Sequence, residues 1–134
     1  AGTLSGNPVA MSAGIATLSE LKENPPYARL EAQSARLGEG LVAAATRAGV
    51  PVRFNRIGSM WTLFFTGGPV TDLDSAKTSD VKTFGRFFWE MIDRGVYLPC
   101  SQFEAAFTCA AMTEEHIGQT IQAGADSLHA VARG

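Results

Sequence analysis

Cysteine and histidine are both scarce in this chain, with two residues of each among 134. Cys100 and Cys109 form no Cys-x-x-Cys pair, and neither has a histidine at metal-ligand spacing. The pattern therefore predicts no metal site and favours free structural thiols in a reducing compartment, with a disulfide or a nucleophilic cysteine as the alternative. His116 and His129 are predicted to lie on one helix and to face solvent.

An excess of charge and long hydrophobic runs are also lacking. The net charge is −2, so electrostatics provides no reason to expect binding to nucleic acid or to an anionic membrane. The longest strongly apolar run, residues 60–65, is far shorter than the roughly 20 residues of a membrane-spanning helix. A length of 134 residues with 46% hydrophobic residues fits one domain with its own core.

Hydrophobic periodicity, together with Gly, Pro and capping residues, predicts four helices and a few short strands. The predicted helices are 8–23, 26–48, 80–94 and a last one capped by Thr113. The predicted strands are one around Val52 and Phe54, followed by 60–66, 96–98 and 105–110. Strict alternation of strand and helix is absent. The order therefore predicts an α+β domain with a small, mostly antiparallel sheet covered by helices.

Apolar residues recur at helical spacing in every predicted helix. In the first helix they share one face, and in the other helices they are predicted to face the core. In chain order these residues are Met11, Ile15 and Leu18; Leu30, Leu37, Leu41 and Ala45; Val81, Phe84, Phe88 and Met91; and Ile117, Ile121, Ala125 and Leu128. Asn7 is the predicted cap of the first helix, and Ser79 that of the third.

The first eight residues form a Gly-, Ser- and Thr-rich loop that runs into Pro8, a residue suited to the first position of a helix. Such loops offer backbone N–H groups and hydroxyls to an anion such as phosphate. Thr3 and Ser5 are the hydroxyl-bearing candidates. Because the chain begins inside this loop, we expect it to be a piece of something larger.

A second candidate is Glu104, which is predicted to lie at the start of a strand between Phe103 and Phe107. A carboxylate in such an apolar context is either an ion-pair partner or a site residue. The spacing leaves both interpretations open. Ser59, the phenylalanines at 84, 87 and 88, and the three lysines are better explained as turn, core and solvated residues.

Four segments resemble the class III pyridoxal-phosphate-dependent aminotransferases, and within that class the glutamate-1-semialdehyde 2,1-aminomutases. The stretch that follows the cofactor lysine in these enzymes is similar to GTLSGNPVAM, residues 2–11. The later segments are GSMWTLFF at 58–65, FGRFF with GVYL at 84–98, and SQFEAAFT with TEE at 101–115. Departures occur at Cys100, Ala106 and Met112.

The resemblance implies that residues 1–134 are the C-terminal small domain of a fold-type-I enzyme, with 1–25 linking it to a large domain. It implies conversion of glutamate-1-semialdehyde to 5-aminolevulinate, the tetrapyrrole precursor, by intramolecular amino transfer with pyridoxal 5'-phosphate. Gly2 and Thr3 are implied to contact the cofactor phosphate held in the neighbouring subunit of a homodimer. Glu104 is implied to bind substrate.

The cofactor lysine of the family lies upstream of the loop, so no catalytic residue is assigned to this chain, and we expect the chain alone to be inactive. The implied location is the cytoplasm, or a plastid if the source is a plant. Two alternatives stay open: the C-terminal domain of an ω-amino-acid aminotransferase, and an inert α+β interaction module that binds no cofactor.

Overall fold

The computed structural model describes residues 2–133, so Ala1 of the predicted loop and Gly134 lie outside the described residues. The described part has five helices and three strands, in this order: α1 Pro8–Glu23, α2 Tyr27–Ala48, β1 Arg53–Ile57, β2 Met60–Phe64, α3 Leu73–Lys77, α4 Val81–Asp93, β3 Ala106–Phe107 and α5 Glu114–Arg133. No helix within residues 2–133 combines the length and apolarity needed to cross a membrane.

Helix α1 has the predicted bounds, because the Asn7 side chain accepts hydrogen bonds from the N–H groups of Val9 and Ala10 and Pro8 occupies its first turn. Its apolar face, however, packs on nothing in the described chain. Met11, Ile15 and Leu18 are each more than half exposed, and the helix has no buried residue. Spacing predicted the common face correctly, but that face points away from this core.

Helices α2 and α5 form the main helical layer. Leu37, Leu41 and Ala45 of α2 are buried as predicted, whereas Leu30 is only partly buried. The helix ends at Gly49, whose left-handed φ of 71° is the conformation expected of a C-terminal glycine. Thr113 caps α5 as predicted, since its hydroxyl accepts the N–H of His116.

The sheet is antiparallel throughout and has the strand order β1-β2-β3. Thr62 pairs with Asn55 on one side of β2, and Met60 pairs with Phe107 on the other. Gly58 and Ser59 form the turn between the first two strands. These findings confirm the predicted α+β class with a small antiparallel sheet covered by helices.

The predicted strand at 96–98 is wrong. The N–H of Val96 donates to the carbonyl of Met91, and that of Gly95 donates to Ile92, so this backbone completes the end of α4 and joins no strand. The strand predicted at 105–110 is reduced to the two residues of β3. The strand predicted at 60–66 ends at Phe64.

Two details between β2 and α4 also differ from expectation. Asp80 caps α4, because its carboxylate accepts the N–H groups of Lys82 and Thr83, and Ser79 is buried beside it. Val81 lies in the exposed first turn of α4 and does not face the core. The connection expected after β2 contains α3, which is too short to give a periodic signal and is held by an Asp72–Ser75 capping box.

The core lies between the sheet and helices α2, α4 and α5. Its most deeply buried large side chains are Leu37, Leu41, Phe87, Met91, Ile117 and Leu128. Phe65 contacts Phe87 with ring centroids 5.2 Å apart. Phe84 and Phe87 are buried and Phe88 is partly buried, which confirms the prediction that this cluster is core.

Candidate functional site

Glu104 lies in a tight turn that precedes β3. Its N–H donates to the carbonyl of Ser101 at 3.1 Å, and the Ser101 hydroxyl accepts the N–H of Phe103 at 3.1 Å. A serine that bonds to the backbone two residues further on favours a turn over a strand. The prediction that Glu104 begins a strand is therefore wrong, since β3 starts at Ala106.

The turn is attached to strand β2 by two side-chain hydrogen bonds. The Gln102 carbonyl oxygen, Oε1, accepts the N–H of Phe65 at 3.0 Å, just beyond the end of β2. Within β2, the Thr62 hydroxyl donates to the backbone carbonyl of Glu104 at 3.2 Å. These bonds join residues that are 37 and 42 positions apart in the chain.

Beside the turn is a small cavity of about 20 Å³, which is room for one water molecule. Glu104 and Gln102 line it together with mainly apolar residues of the sheet, of α4 and of the loop before the turn. The apolar side chains among them include Trp61, Leu63, Phe84, Phe87, Leu98 and Ala106. Glu104 itself is exposed, so its carboxylate lies where this apolar wall meets solvent.

The Glu104 carboxylate has no cationic partner within residues 2–133. Its one hydrogen-bonding neighbour in that part of the chain is the Cys100 thiol, with Sγ 3.8 Å from Oε1. A thiol is a weak donor that leaves most of the carboxylate's accepting capacity free. Of the two interpretations given above, the geometry therefore favours a group that can receive a ligand over a structural ion pair.

The Gly2–Thr3 segment forms an exposed turn before α1, in which the N–H of Ser5 donates to the carbonyl of Gly2 at 3.0 Å. The Asn7 side chain already occupies the N–H groups of Val9 and Ala10. An anion would therefore meet the loop rather than the end of the helix. Within the described residues, neither the N–H nor the hydroxyl of Thr3 has a hydrogen-bond partner, so both are free to bind oxygen.

The structure does not bring the two candidate regions together. No hydrogen bond within residues 2–133 connects Gly2 or Thr3 to Glu104, and neither residue lines the small cavity beside Glu104. Of the remaining candidates, His116 and His129 are exposed on α5, and Cys109 is a free, exposed thiol. Cys100 is also a free, exposed thiol, and it is the one that lies beside Glu104. The described chain contains no cluster of three His, Cys, Asp or Glu side chains that could hold a metal ion.

Sequence reasoning missed Thr62 and Gln102. Gln102 stood inside the SQFEA segment, but its polarity gave no hint of burial, and it is only 2% exposed. A threonine in a strand is common and carries no signal of its own. Only the pairing of β2 with the turn identifies these two side chains.

No protein-family model matches the chain. Among curated proteins, it is 57% identical over 98% of its length to the glutamate-1-semialdehyde 2,1-aminomutase of Heliobacterium modesticaldum. It is 52% identical over 96% of its length to the enzyme of the same name from Thermus thermophilus. The chain spans about 30% of the length of each of these relatives and matches their C-terminal part.

Solved structures give the same picture of the fold. The whole chain superposes on 30% of an omega-transaminase from Sphaerobacter thermophilus with a TM-score of 0.80 at 22% identity. A second structure, a transaminase with PLP bound, matches 99% of the chain with a TM-score of 0.78 at 25% identity. Both matches confirm the predicted fold, that of the C-terminal part of such transaminases.

Proposed function

The chain belongs to the family of glutamate-1-semialdehyde 2,1-aminomutases, as their C-terminal part, and from this we propose that it is the C-terminal domain of an enzyme that converts glutamate-1-semialdehyde to 5-aminolevulinate. The reaction moves an amino group within one molecule and supplies the precursor of tetrapyrroles. The observation that carries the proposal is the 57% identity over nearly the whole chain.

The domain arrangement proposed here assigns residues 1–25 to the junction with an N-terminal large domain. Helix α1 supports this, because Met11, Ile15 and Leu18 share one face, which residues 2–133 leave exposed. An apolar stripe of this kind on a helix is typical of a face that packs on another surface. The chain spans only 30% of the length of its Heliobacterium relative, and we propose that the face packs on the large domain formed by the remaining length.

Pyridoxal 5'-phosphate is the proposed cofactor, and one structural neighbour is described with PLP bound. When bound, the cofactor carries amino groups by forming a carbon–nitrogen double bond with the substrate. The exposed hydroxyl and N–H of Thr3, beside Gly2, fit a phosphate, which needs several donors. We propose that both residues bind the phosphate held in the partner subunit of a homodimer.

The lysine that binds the cofactor is proposed to come from the N-terminal part. Lys22, Lys77 and Lys82 are all exposed on helices, where a lysine is normally a solvated surface residue. The chain by itself is therefore proposed to be inactive. Free thiols at Cys100 and Cys109 support a reducing compartment, for which we propose the cytoplasm.

Glu104 is the proposed substrate-binding residue. An exposed carboxylate with no cationic partner in the described chain, beside an apolar wall, can accept hydrogen bonds from a protonated amino group. Hydrogen bonds to charged groups contribute about 1.5–3 kcal/mol, roughly twice as much as neutral ones. The role of Glu104 would then be to hold an amino-bearing species in place during amino transfer.

The test is Glu104→Gln in the full-length homodimer, because this change preserves size and removes charge. We expect kcat for 5-aminolevulinate formation to fall about 10- to 100-fold, while the melting temperature and the cofactor absorbance stay unchanged. Glu39→Gln, an exposed substitution of the same type on α2, is the matched control and should retain full turnover. A lower melting temperature with normal turnover per folded enzyme would remove Glu104 from the site.

The same assay separates the proposed reaction from its alternatives. An aminomutase forms 5-aminolevulinate with no added 2-oxo acid, because the amino group stays in the same molecule. An ω-amino-acid aminotransferase requires an external 2-oxo acid as acceptor. An inert module would confer no cofactor absorbance on the full-length protein.

A further inference from the structure

Gln102 is the most deeply buried polar side chain near the proposed site, with 2% of its surface exposed. Its Oε1 accepts the Phe65 N–H, but its amide nitrogen, Nε2, has no partner within residues 2–133. Gln102 also lines the small cavity that Glu104 lines. Burying an amide whose donor is unpaired is unfavourable, so a glutamine here indicates a function other than filling space.

Thr62 holds the same turn from a second position. Its hydroxyl donates to the Glu104 carbonyl, which is the backbone of the candidate residue itself. Thr62 is the central residue of the five in β2 and is paired with Asn55 of β1. The turn is thus attached to a strand that neighbours hold on both sides.

The Glu104 carboxylate, in contrast, is oriented by only one weak hydrogen bond within residues 2–133. The Cys100 thiol at 3.8 Å is its one neighbour in the described chain, and no cation orients it. The backbone of the turn therefore determines where the carboxylate can reach. Because Gln102 and Thr62 hold that backbone, they set the position of the carboxylate relative to β2.

We propose that Thr62 and Gln102 are positioning residues, which fix the Glu104 turn on β2 so that the carboxylate can act on the substrate. This inference rests on the proposed function. It predicts that removing the Thr62 hydrogen bond lowers turnover through Glu104 and not through stability, because β2 keeps its pairing to β1 and its buried contacts. Removing the Gln102 acceptor also leaves the buried Phe65 N–H unpaired, so that change lowers turnover and stability together.

The experiment uses the full-length enzyme with glutamate-1-semialdehyde as substrate and Thr62→Val as the main variant. Valine has the shape of threonine without the hydroxyl and is well suited to a strand. We expect kcat to fall about two- to tenfold, the equivalent of one neutral hydrogen bond, with an unchanged melting temperature. Thr62→Ser keeps the hydroxyl and should restore turnover. Gln102→Met, similar in volume but unable to accept the Phe65 N–H, should also lower kcat.

Two further variants show whether the effect passes through Glu104. Thr62→Val in the Glu104→Gln background should cause no additional fall in kcat, because the group it positions is already disabled. Thr120→Val is the matched control, since the Thr120 hydroxyl donates to the carbonyl of His116 at 2.8 Å within α5. Its kcat should equal that of the wild type.

The proposal is overturned if Thr62→Val lowers kcat by the same factor in both backgrounds, or if it lowers the melting temperature while kcat stays normal. It also fails if Thr62→Ser does not restore turnover. A wild-type enzyme that forms no 5-aminolevulinate would overturn the proposed function, and the positioning role in that reaction with it. Normal turnover of Glu104→Gln would overturn the role of Glu104 and of its two supports, but leave the reaction standing.

Discussion

Helices α2 and α5 approach each other closely at Gly124, and replacing this glycine by alanine tests the packing directly. A Cβ at Gly124 would press into the Cδ2 methyl of Leu41, a side chain that is only 1% exposed. Overpacking of this kind costs about 1–3 kcal/mol. Alanine in a helix interior recovers about 0.5–1 kcal/mol relative to glycine. We expect Gly124→Ala to lower the free energy of unfolding by the difference, about 0–2.5 kcal/mol.

The matched control is Gly85→Ala, which makes the same substitution inside α4 where an added Cβ would have no neighbour within 4 Å. This variant should gain the helix propensity without the clash, about 0.5–1 kcal/mol. Urea unfolding of the purified chain, followed by circular dichroism, measures both variants. The difference between them isolates the clash, which should amount to about 1–3 kcal/mol.

A double variant identifies Leu41 as the cause. Leu41→Ala alone should cost about 2–5 kcal/mol because it opens a cavity in the core. In the double variant Leu41→Ala/Gly124→Ala, the added methyl enters that space. The loss of unfolding free energy in the double variant should therefore be smaller than the sum of the two single-variant losses by about 1–3 kcal/mol. Strict additivity, or equal stabilisation by Gly124→Ala and Gly85→Ala, would refute the close approach of the two helices.

Two predictions concern other parts of the chain. In the full-length enzyme, Thr3→Ala should weaken cofactor binding by roughly 1.5–3 kcal/mol. In mixed dimers, the weaker binding should appear at the site of the partner subunit. If a cofactor titration shows unchanged affinity, Thr3 is only a turn residue. Hydrogen bonds from Gln33 and then Arg36 hold the pKa of Glu114 below its ordinary value of 4.5. The interaction stabilises the fold at pH values above the unfolded-state pKa of Glu114, and this stabilisation is lost as the pH falls through the lower folded-state pKa. Below about pH 5, the urea midpoint of Glu114→Gln should therefore fall less than that of the wild type. Parallel pH profiles of the two proteins would contradict this.

Local chemistry in the sequence determined the four longer helices, whereas the five-residue α3 was missed. Asn7 followed by Pro8 defines the start of α1, and Gly49 defines the end of α2, because each acts on backbone groups within a few residues. The same locality explains the turn at Gly58. The apolar stripes of α2 and α5 predicted which side is buried, since helical spacing depends only on neighbours along the chain.

Contacts between distant residues decided the rest. Met11, Ile15 and Leu18 of α1 share a face by the same helical spacing, although α1 is the least amphipathic of the long helices. Whether that face meets a core depends on what lies opposite, and no residue of α1 is buried within residues 2–133. Residues 96–98 have the composition of a strand, yet the end of α4 takes the N–H of Val96. At the candidate site, the sequence singled out Glu104, whereas only the tertiary structure brought Thr62 and Gln102 to it. A hydrogen bond across 37 or 42 residues exists only once the strand and the turn have been folded together, and no local pattern encodes it.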